Sequence, residues 1–410
     1  MLNKADVQRL RELAQRYAQA ASLPAQSEKR ELWRSNNELR SARPMVLIDQ
    51  ICWSEIYTDG SLSGKVQDPY WRGVEENLLL KLYCWEHFPV DMVLTPYISL
   101  PKPIADSGWG IDWKIERLYR ENSDVASQRM TDILEDESVL EQIRMPEVTV
   151  NTLRMEQIRQ EAETVFEGII PFCLAGSCMH LGIWDTISFW RGVENIYFDL
   201  LDRPEYIHAI MEKVTQGLLS RLEQMNRLGC YDVTSTLVHC SHTFLDELPA
   251  KDTNPEFGTT QQGWAFGMAQ LFSSVSPAVT EEFEVEYMKR IFPHFGAIYY
   301  GCCERLDDRL DIISKLPNIR KISCSPWSDR EHFAEAMPDW CVMSVKPNPA
   351  FLAASSMDED SIRKEFRFAI DAARRYNRNI EFLLKDISTI RHDPTRLVRW
   401  AQIAMEEVQR

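Results

Sequence analysis

Residues Ala297-Ile-Tyr-Tyr-Gly-Cys-Cys-Glu304 are the stretch on which the reading of this chain turns. Four residues of strand character run into a glycine, two adjacent thiols and a carboxylate, and an amphipathic helix pattern follows over Arg305–Leu316. A short apolar strand that delivers polar groups just before a helix is the building unit of parallel α/β folds. Such folds collect their active residues at the carboxyl ends of the strands. The rival reading is two inert core thiols, since free cysteine is among the most buried residue types.

Downstream the same unit repeats on a short cycle. Strand patterns at Arg320–Cys324, Cys341–Val345 and Ile380–Leu384 alternate with helix patterns at Asp329–Met337, Asp360–Tyr376 and Pro394–Val408. This alternation predicts a parallel sheet wrapped by helices. No Gly-x-Gly-x-x-Gly follows any of these strands, which favours a closed (β/α)8 TIM barrel over a dinucleotide-binding sheet.

Upstream, Ser276-Pro277 opens a helix with Pro in its preferred first turn. Strands are expected at Pro44–Ile51, Asp91–Leu100, Ile169–Ala175 and Asp232–Val238, the last ending at His239-Cys240-Ser241-His242. Asp202-Arg-Pro-Glu205 reads as a capping-box start for a long helix that Gly229 closes. Residues 115–165 carry many charges and no glycine, and are expected outside the barrel, with a long helix near Thr152–Phe166. The acidic run Asp132–Glu141 reads as a solvated helix face. Val7, Leu10, Leu13, Ala14 and Tyr17 recur at helical spacing. Residues 1–85 are therefore taken as a helical N-terminal extension packed on a barrel of residues 86–410.

The 410 residues suffice for a large core, and a net charge of −16 argues against nucleic acid and anionic membranes as partners. Ten irregularly spaced cysteines and a charged N-terminus predict reduced thiols in a cytoplasm. The longest uncharged run, Gly168–Trp184, is shorter than the ~20 residues of a membrane span.

Several stretches resemble the uroporphyrinogen decarboxylase superfamily, on the side of its corrinoid-linked methyltransferases. Tyr197-Phe-Asp-Leu-Leu-Asp-Arg-Pro-Glu205 is similar to its D-L-L-D-x-P-E helix entry. Ser276-Pro277 with Glu282-Phe283, Tyr287 and Arg290 is similar to its S-P-x-x-x-E-E-F helix. Phe88–Tyr97 resembles its first barrel strand, and Tyr300-Gly-Cys-Cys303 stands where members carry H-x-C-G. The resemblance implies methyl transfer between a small methylated molecule and a corrinoid (cobalamin) on a carrier protein, assisted by zinc, and a homodimer. The family's histidine is Tyr300 here, and its late cysteine would fall near Asp386–Ile387. The Arg-rich signature of the decarboxylases is absent from Arg43–Gln50. A cofactor-free decarboxylase and a non-catalytic corrinoid- or ligand-binding protein remain the alternatives.

On this reading His239, Cys302 and Cys303 are the candidate metal ligands, with Cys240 and His242 as alternates. Tyr300, Glu304, Lys346 and Asp386 are the candidate catalytic residues, with Lys385 a further polar contact. Trp53, Glu55, His242 and Asn348 are the candidate substrate contacts.

Overall fold

The structure, a computed structural model, describes residues 2–40, 43–57, 59–113, 115–118 and 127–410. Its centre is a seven-stranded sheet in the order Met45–Ile48, Ile380–Leu384, Val342–Val345, Ile319–Cys324, Ala297–Tyr300, Trp264–Gly267 and His180–Leu181. Every neighbouring pair is parallel. Strands buried on both faces need continuous apolar sequence, which Met45–Ile48, Ala297–Tyr300 and Val342–Val345 supply. Ile98–Pro101 and Phe172–Ala175 form a separate parallel pair.

Helices cover the sheet, and their starts follow side-chain chemistry. Ser276, Asp329 and Asp358 each accept a hydrogen bond from a backbone N–H in the first turn they cap. The capping-box reading of Asp202 is corrected: helix Val193–Asp202 runs through it, and helix Pro204–Leu228 starts at Pro204 with no side-chain cap. Pro204, with its fixed φ, sets that start.

Three expected elements are shorter than their patterns. The strand at Asp91–Leu100 is confined to Ile98–Pro101 because side chains from elsewhere take its amides. Val93 N–H donates to His242 Nε2 (3.1 Å), Leu94 N–H to Gln26 Oε1 (2.8 Å) and Thr95 N–H to the Tyr17 hydroxyl (3.2 Å). The strand at Asp232–Val238 is diverted at its first residue. Asp232 Oδ1 accepts from the N–H groups of Thr234 and Ser235, an Asx turn, and only Leu237–Val238 pairs, antiparallel with Ser241–His242. The helix expected at Arg305–Leu316 is a single turn, Leu310–Ile313. The chain before it is tied down by buried Arg309, which donates to the carbonyls of Phe272 and Val275 and to Thr280 Oγ1.

A second apolar cluster joins helix Lys4–Ala21 to helices Pro69–His87 and Thr152–Phe166 through Leu10, Leu13, Tyr17, Trp71, Leu78 and Phe166. The acidic run forms a 3-10 turn, Glu137–Gln142, not a regular helix. Among the described residues no helix is long and apolar enough to cross a membrane.

Candidate active site

The carboxyl ends of two sheet strands and the turn after Leu237–Val238 bring polar groups to one place. After Ala297–Tyr300 the chain turns at Gly301, whose φ is +90°. A Cβ there would sit 2.5 Å from Leu306 Cδ1, so only glycine fits. The turn presents Cys302 and Cys303, whose sulfurs are 3.5 Å apart. After Ile380–Leu384 come Lys385 and Asp386, the latter at φ +55°. His239 and Cys240, at φ +39° and +69°, complete the group. Non-glycine residues in this region store strain, and such strain clusters at functional sites.

Lys385 is the hub. Its Nζ lies 2.9 Å from Cys302 Sγ, 3.8 Å from Cys303 Sγ, 3.2 Å from His239 Nε2 and 3.1 Å from Asp386 Oδ2. Cys303 Sγ donates to Asp386 Oδ2 at 2.8 Å. Hydrogen bonding from Cys303 lowers the Cys302 pKa, and the Lys385 charge lowers it further against the opposing effect of burial. The same contact with Cys302, together with burial, raises the Cys303 pKa. Of the pair, Cys302 is thus the more readily ionised, and Cys303 holds its proton toward Asp386. Burial works to lower the Lys385 pKa, but the Cys302 thiolate more than offsets it and the net shift is upward.

His239 stacks flat on Phe266, with centroids 3.6 Å apart. Burial holds its imidazole pKa well down, aided by Lys346 and Lys385. A neutral ring that accepts from Lys385 at Nε2 carries its proton on Nδ1.

Cys302 Sγ, Cys303 Sγ and one Asp386 oxygen all lie within 4.8 Å of one another. Tetrahedral zinc with ~2.3 Å bonds to sulfur sets two thiolates ~3.8 Å apart. The two sulfurs and the carboxylate fit such an ion as three ligands with a fourth position open. His239 is outside this trio and faces Lys385.

The remaining candidates are dispersed. Tyr300 points to the helix layer, where its hydroxyl donates to Glu284 at 3.3 Å. Glu304 turns back on its own loop, accepting from the N–H groups of Cys302 (2.8 Å) and Ala269 (3.4 Å), and burial raises its pKa. Lys346 donates to the Tyr299 hydroxyl, and burial lowers its pKa to about 8. Glu55 accepts from the N–H groups of Ile390 (2.8 Å) and His392 (3.0 Å), fixing the loop beyond Asp386. Asn348 caps its own turn by accepting from Ala350 N–H at 3.0 Å. His242 is buried, with Nδ1 2.8 Å from the Thr236 carbonyl and Nε2 accepting from Val93 N–H. Burial lowers its pKa to about 3. Trp53 lines a cavity of about 620 Å³ beneath helix Pro69–His87. His239 lines a smaller one of about 210 Å³.

Sequence reasoning missed an interior network. Tyr299, Ser344, Glu381 and Lys321 run from Lys346 into the sheet: Tyr299 hydroxyl to Ser344 Oγ at 2.6 Å, Ser344 Oγ to Glu381 Oε1 at 2.7 Å, and Lys321 Nζ to Glu381 Oε2 at 2.7 Å. Its signal was visible: a lysine and a glutamate inside otherwise apolar strands at Ile319–Cys324 and Ile380–Leu384.

No protein-family model and no curated protein sequence matches the chain. Among solved structures, a methyltransferase from Methanosarcina mazei aligns over 93% of this chain and 99% of that one, with a TM-score of 0.54 and 11% identity. At that identity the likeness is one of fold.

Proposed function

We propose that the protein is a member of the corrinoid-linked branch of the uroporphyrinogen decarboxylase superfamily. It moves a methyl group between a small methylated molecule and a corrinoid carried by a partner protein, with a zinc ion held by Cys302, Cys303 and Asp386. The observation that carries this is the convergence of those three ligand atoms at the strand ends. The fold likeness to a protein described as a methyltransferase supports it.

The reading takes residues 1–85 as an extension and residues 86–410 as a closed (β/α)8 barrel. Support for closure comes from the edges of the sheet. Asp91 N–H donates to the Val46 carbonyl, which ties the first sheet strand to the segment entering Ile98–Pro101. Phe172–Ala175 pairs with Ile98–Pro101, and His180–Leu181, the next strand along the chain, pairs with Trp264–Gly267.

Zinc in this trio would supply Lewis acidity at its open position and favour the deprotonated form of a bound thiol or alcohol. The chain's own groups do the rest. Lys385 neutralises the Cys302 thiolate and is a proton source 2.9 Å from it. Glu304 fixes the Cys302 amide, and Glu55 holds the loop behind Asp386. In the transfer, the methyl carbon would leave a heteroatom of the small molecule for the reduced corrinoid, which would supply the electron pair of the new bond. The electron pair of the broken bond stays with the leaving atom, which takes a proton. Porphyrinogen decarboxylation fits less well, because among the described residues the cavity at Trp53 is lined by one lysine, Lys81, and no arginine. Several substrate carboxylates would need more than one cation.

The test is demethylation of methylcobalamin by the purified, zinc-loaded protein with a panel of thiols, followed by visible absorbance. Turnover that falls at least ~100-fold in Cys302→Ser agrees with this reading, since even an outer-shell partner costs up to that much. No turnover in either direction, with thiols or with methylated amines and ethers as donors, contradicts it.

A further inference from the structure

The cavity beneath helix Pro69–His87 holds a charge that the fold does not use. Its volume of about 620 Å³ is that of a small-molecule site. Helix Pro69–His87 covers the ends of strands Met45–Ile48, Ile98–Pro101 and Phe172–Ala175 there, and much of the lining is apolar or aromatic, including Trp53, Tyr70 and Met92. Lys81 projects from that helix into the lining. Among the described residues its ammonium makes no hydrogen bond, ion pair or cation–π contact. Burial lowers its pKa, and Asp232 is the charge that opposes this. Asp232 is itself engaged, accepting at Oδ1 from the N–H groups of Thr234 and Ser235 and from the Thr234 hydroxyl. Asp49 and Asp232 line the same cavity, yet neither forms an ion pair with Lys81, and a cation held off solvent without a contact partner is costly.

One wall of the cavity runs past the end of strand Met45–Ile48 to Cys240. Cys240 lines it and lies within electrostatic range of Lys346 and Lys385. Asp49 lines it too, and its N–H donates at 2.9 Å to the carbonyl of Leu384, the residue before Lys385.

We propose that Lys81 is the anchor for the substrate's negative charge, and that the substrate is a methylated organic molecule with an apolar body and a single carboxylate. The carboxylate pairs with Lys81, the body fills the space against Trp53, Tyr70 and Met92, and the methyl-bearing end lies along the Cys240 wall toward Cys302 and Cys303. One cation selects one anion, and the cavity's size admits an aromatic or branched body. This inference rests on the methyl-transfer reading for the word substrate, but not for the anion site.

The test is calorimetric titration of the full chain with two matched pairs, 4-methoxybenzoate against 4-methoxybenzyl alcohol and hexanoate against hexanol. Wild type, Lys81→Met and Lys81→Arg are compared. The carboxylates are expected to bind wild type at least ~10-fold tighter than their neutral partners, a typical value for one charge-assisted contact. The preference disappears in Lys81→Met and persists in Lys81→Arg. Thermal unfolding without ligand guards against a folding defect. Removing a charge that makes no hydrogen bond or ion pair leaves the Lys81→Met melting temperature equal to or above that of wild type. No carboxylate preference in wild type, the same preference in Lys81→Met, or a melting temperature lowered by several degrees in that variant each overturn the proposal. The assay contains no methyl acceptor. Carboxylate preference without methyl transfer therefore discards the reaction and keeps the anchor, and methyl transfer without the preference discards the anchor alone.

Discussion

Lys385 and Gly301 decide the chemistry of the site one residue at a time. The ammonium of Lys385 is the only cation 2.9 Å from Cys302 Sγ among the described residues, and its charge helps hold that thiol ionised. Lys385→Met is expected to move the Cys302 titration, read by thiolate ultraviolet absorbance against Cys302→Ser, upward. An unchanged titration would remove Lys385 from the account. Gly301→Ala meets both a φ of +90° and Leu306 at 2.5 Å, so a loss of at least ~2 kcal/mol is expected in urea unfolding. The Cys302-Cys303 pair and its glycine were legible because they interrupt a strand pattern. The role of Tyr300 was not. Alternation turns Tyr299 inward to Lys346 and Tyr300 outward to Glu284, and an all-apolar strand does not reveal which of two tyrosines faces the interior.

At the element scale, the helix after Ser276 contains one wider turn, Glu281–Val285, that carries Glu284 into the core. Its carboxyl accepts from Trp184 Nε1 at 3.0 Å and from the Tyr300 hydroxyl, and burial raises its pKa to about 8 from an ordinary 4.5. The folded chain therefore keeps a proton that the unfolded chain releases in this window. The group's stabilising contribution is complete below pH 4.5 and is lost as pH rises through about 8. Wild-type stability should fall across that range, by no more than ~1.4 kcal/mol per pH unit from this group, and Glu284→Gln should flatten the slope. Equal slopes in chemical denaturation at several pH values would show that Glu284 ionises freely. Strand and helix identities from residue 319 onward were readable because each element is periodic and bounded by turn residues. The strands expected at Asp91–Leu100 and Asp232–Val238 were overestimated for a tertiary reason. His242, Gln26 and Tyr17 take the amides of the first, and the Asp232 carboxylate turns the second, and neither interaction has a local signature.

At the scale of the whole molecule, the N-terminal helices and the sheet are one packed structure. Asp91, fully buried, accepts from both terminal nitrogens of Arg43 and from Val46 N–H, clamping the first sheet strand to the segment that follows helix Pro69–His87. Asp91→Ala removes the partner of a half-buried guanidinium and an acceptor for a backbone amide, and about 3 kcal/mol is expected to be lost in urea unfolding. A loss under ~1 kcal/mol would show the clamp to be dispensable. Sequence pattern identified the parallel α/β class and placed Cys302 and Cys303 at a strand end, where the structure has them. It did not show Lys81 or the cavity around it, because that juxtaposition depends on how the first eighty-odd residues fold back over the strand ends. The central claim is that Cys302, Cys303 and Asp386 together hold a metal ion. The direct measurement is elemental analysis of zinc-loaded, desalted protein, wild type beside Cys302→Ala and Asp386→Ala. The account predicts one zinc per chain in wild type, lost in Cys302→Ala and weakened in Asp386→Ala. No bound metal in wild type, or full zinc content in Cys302→Ala, would contradict it.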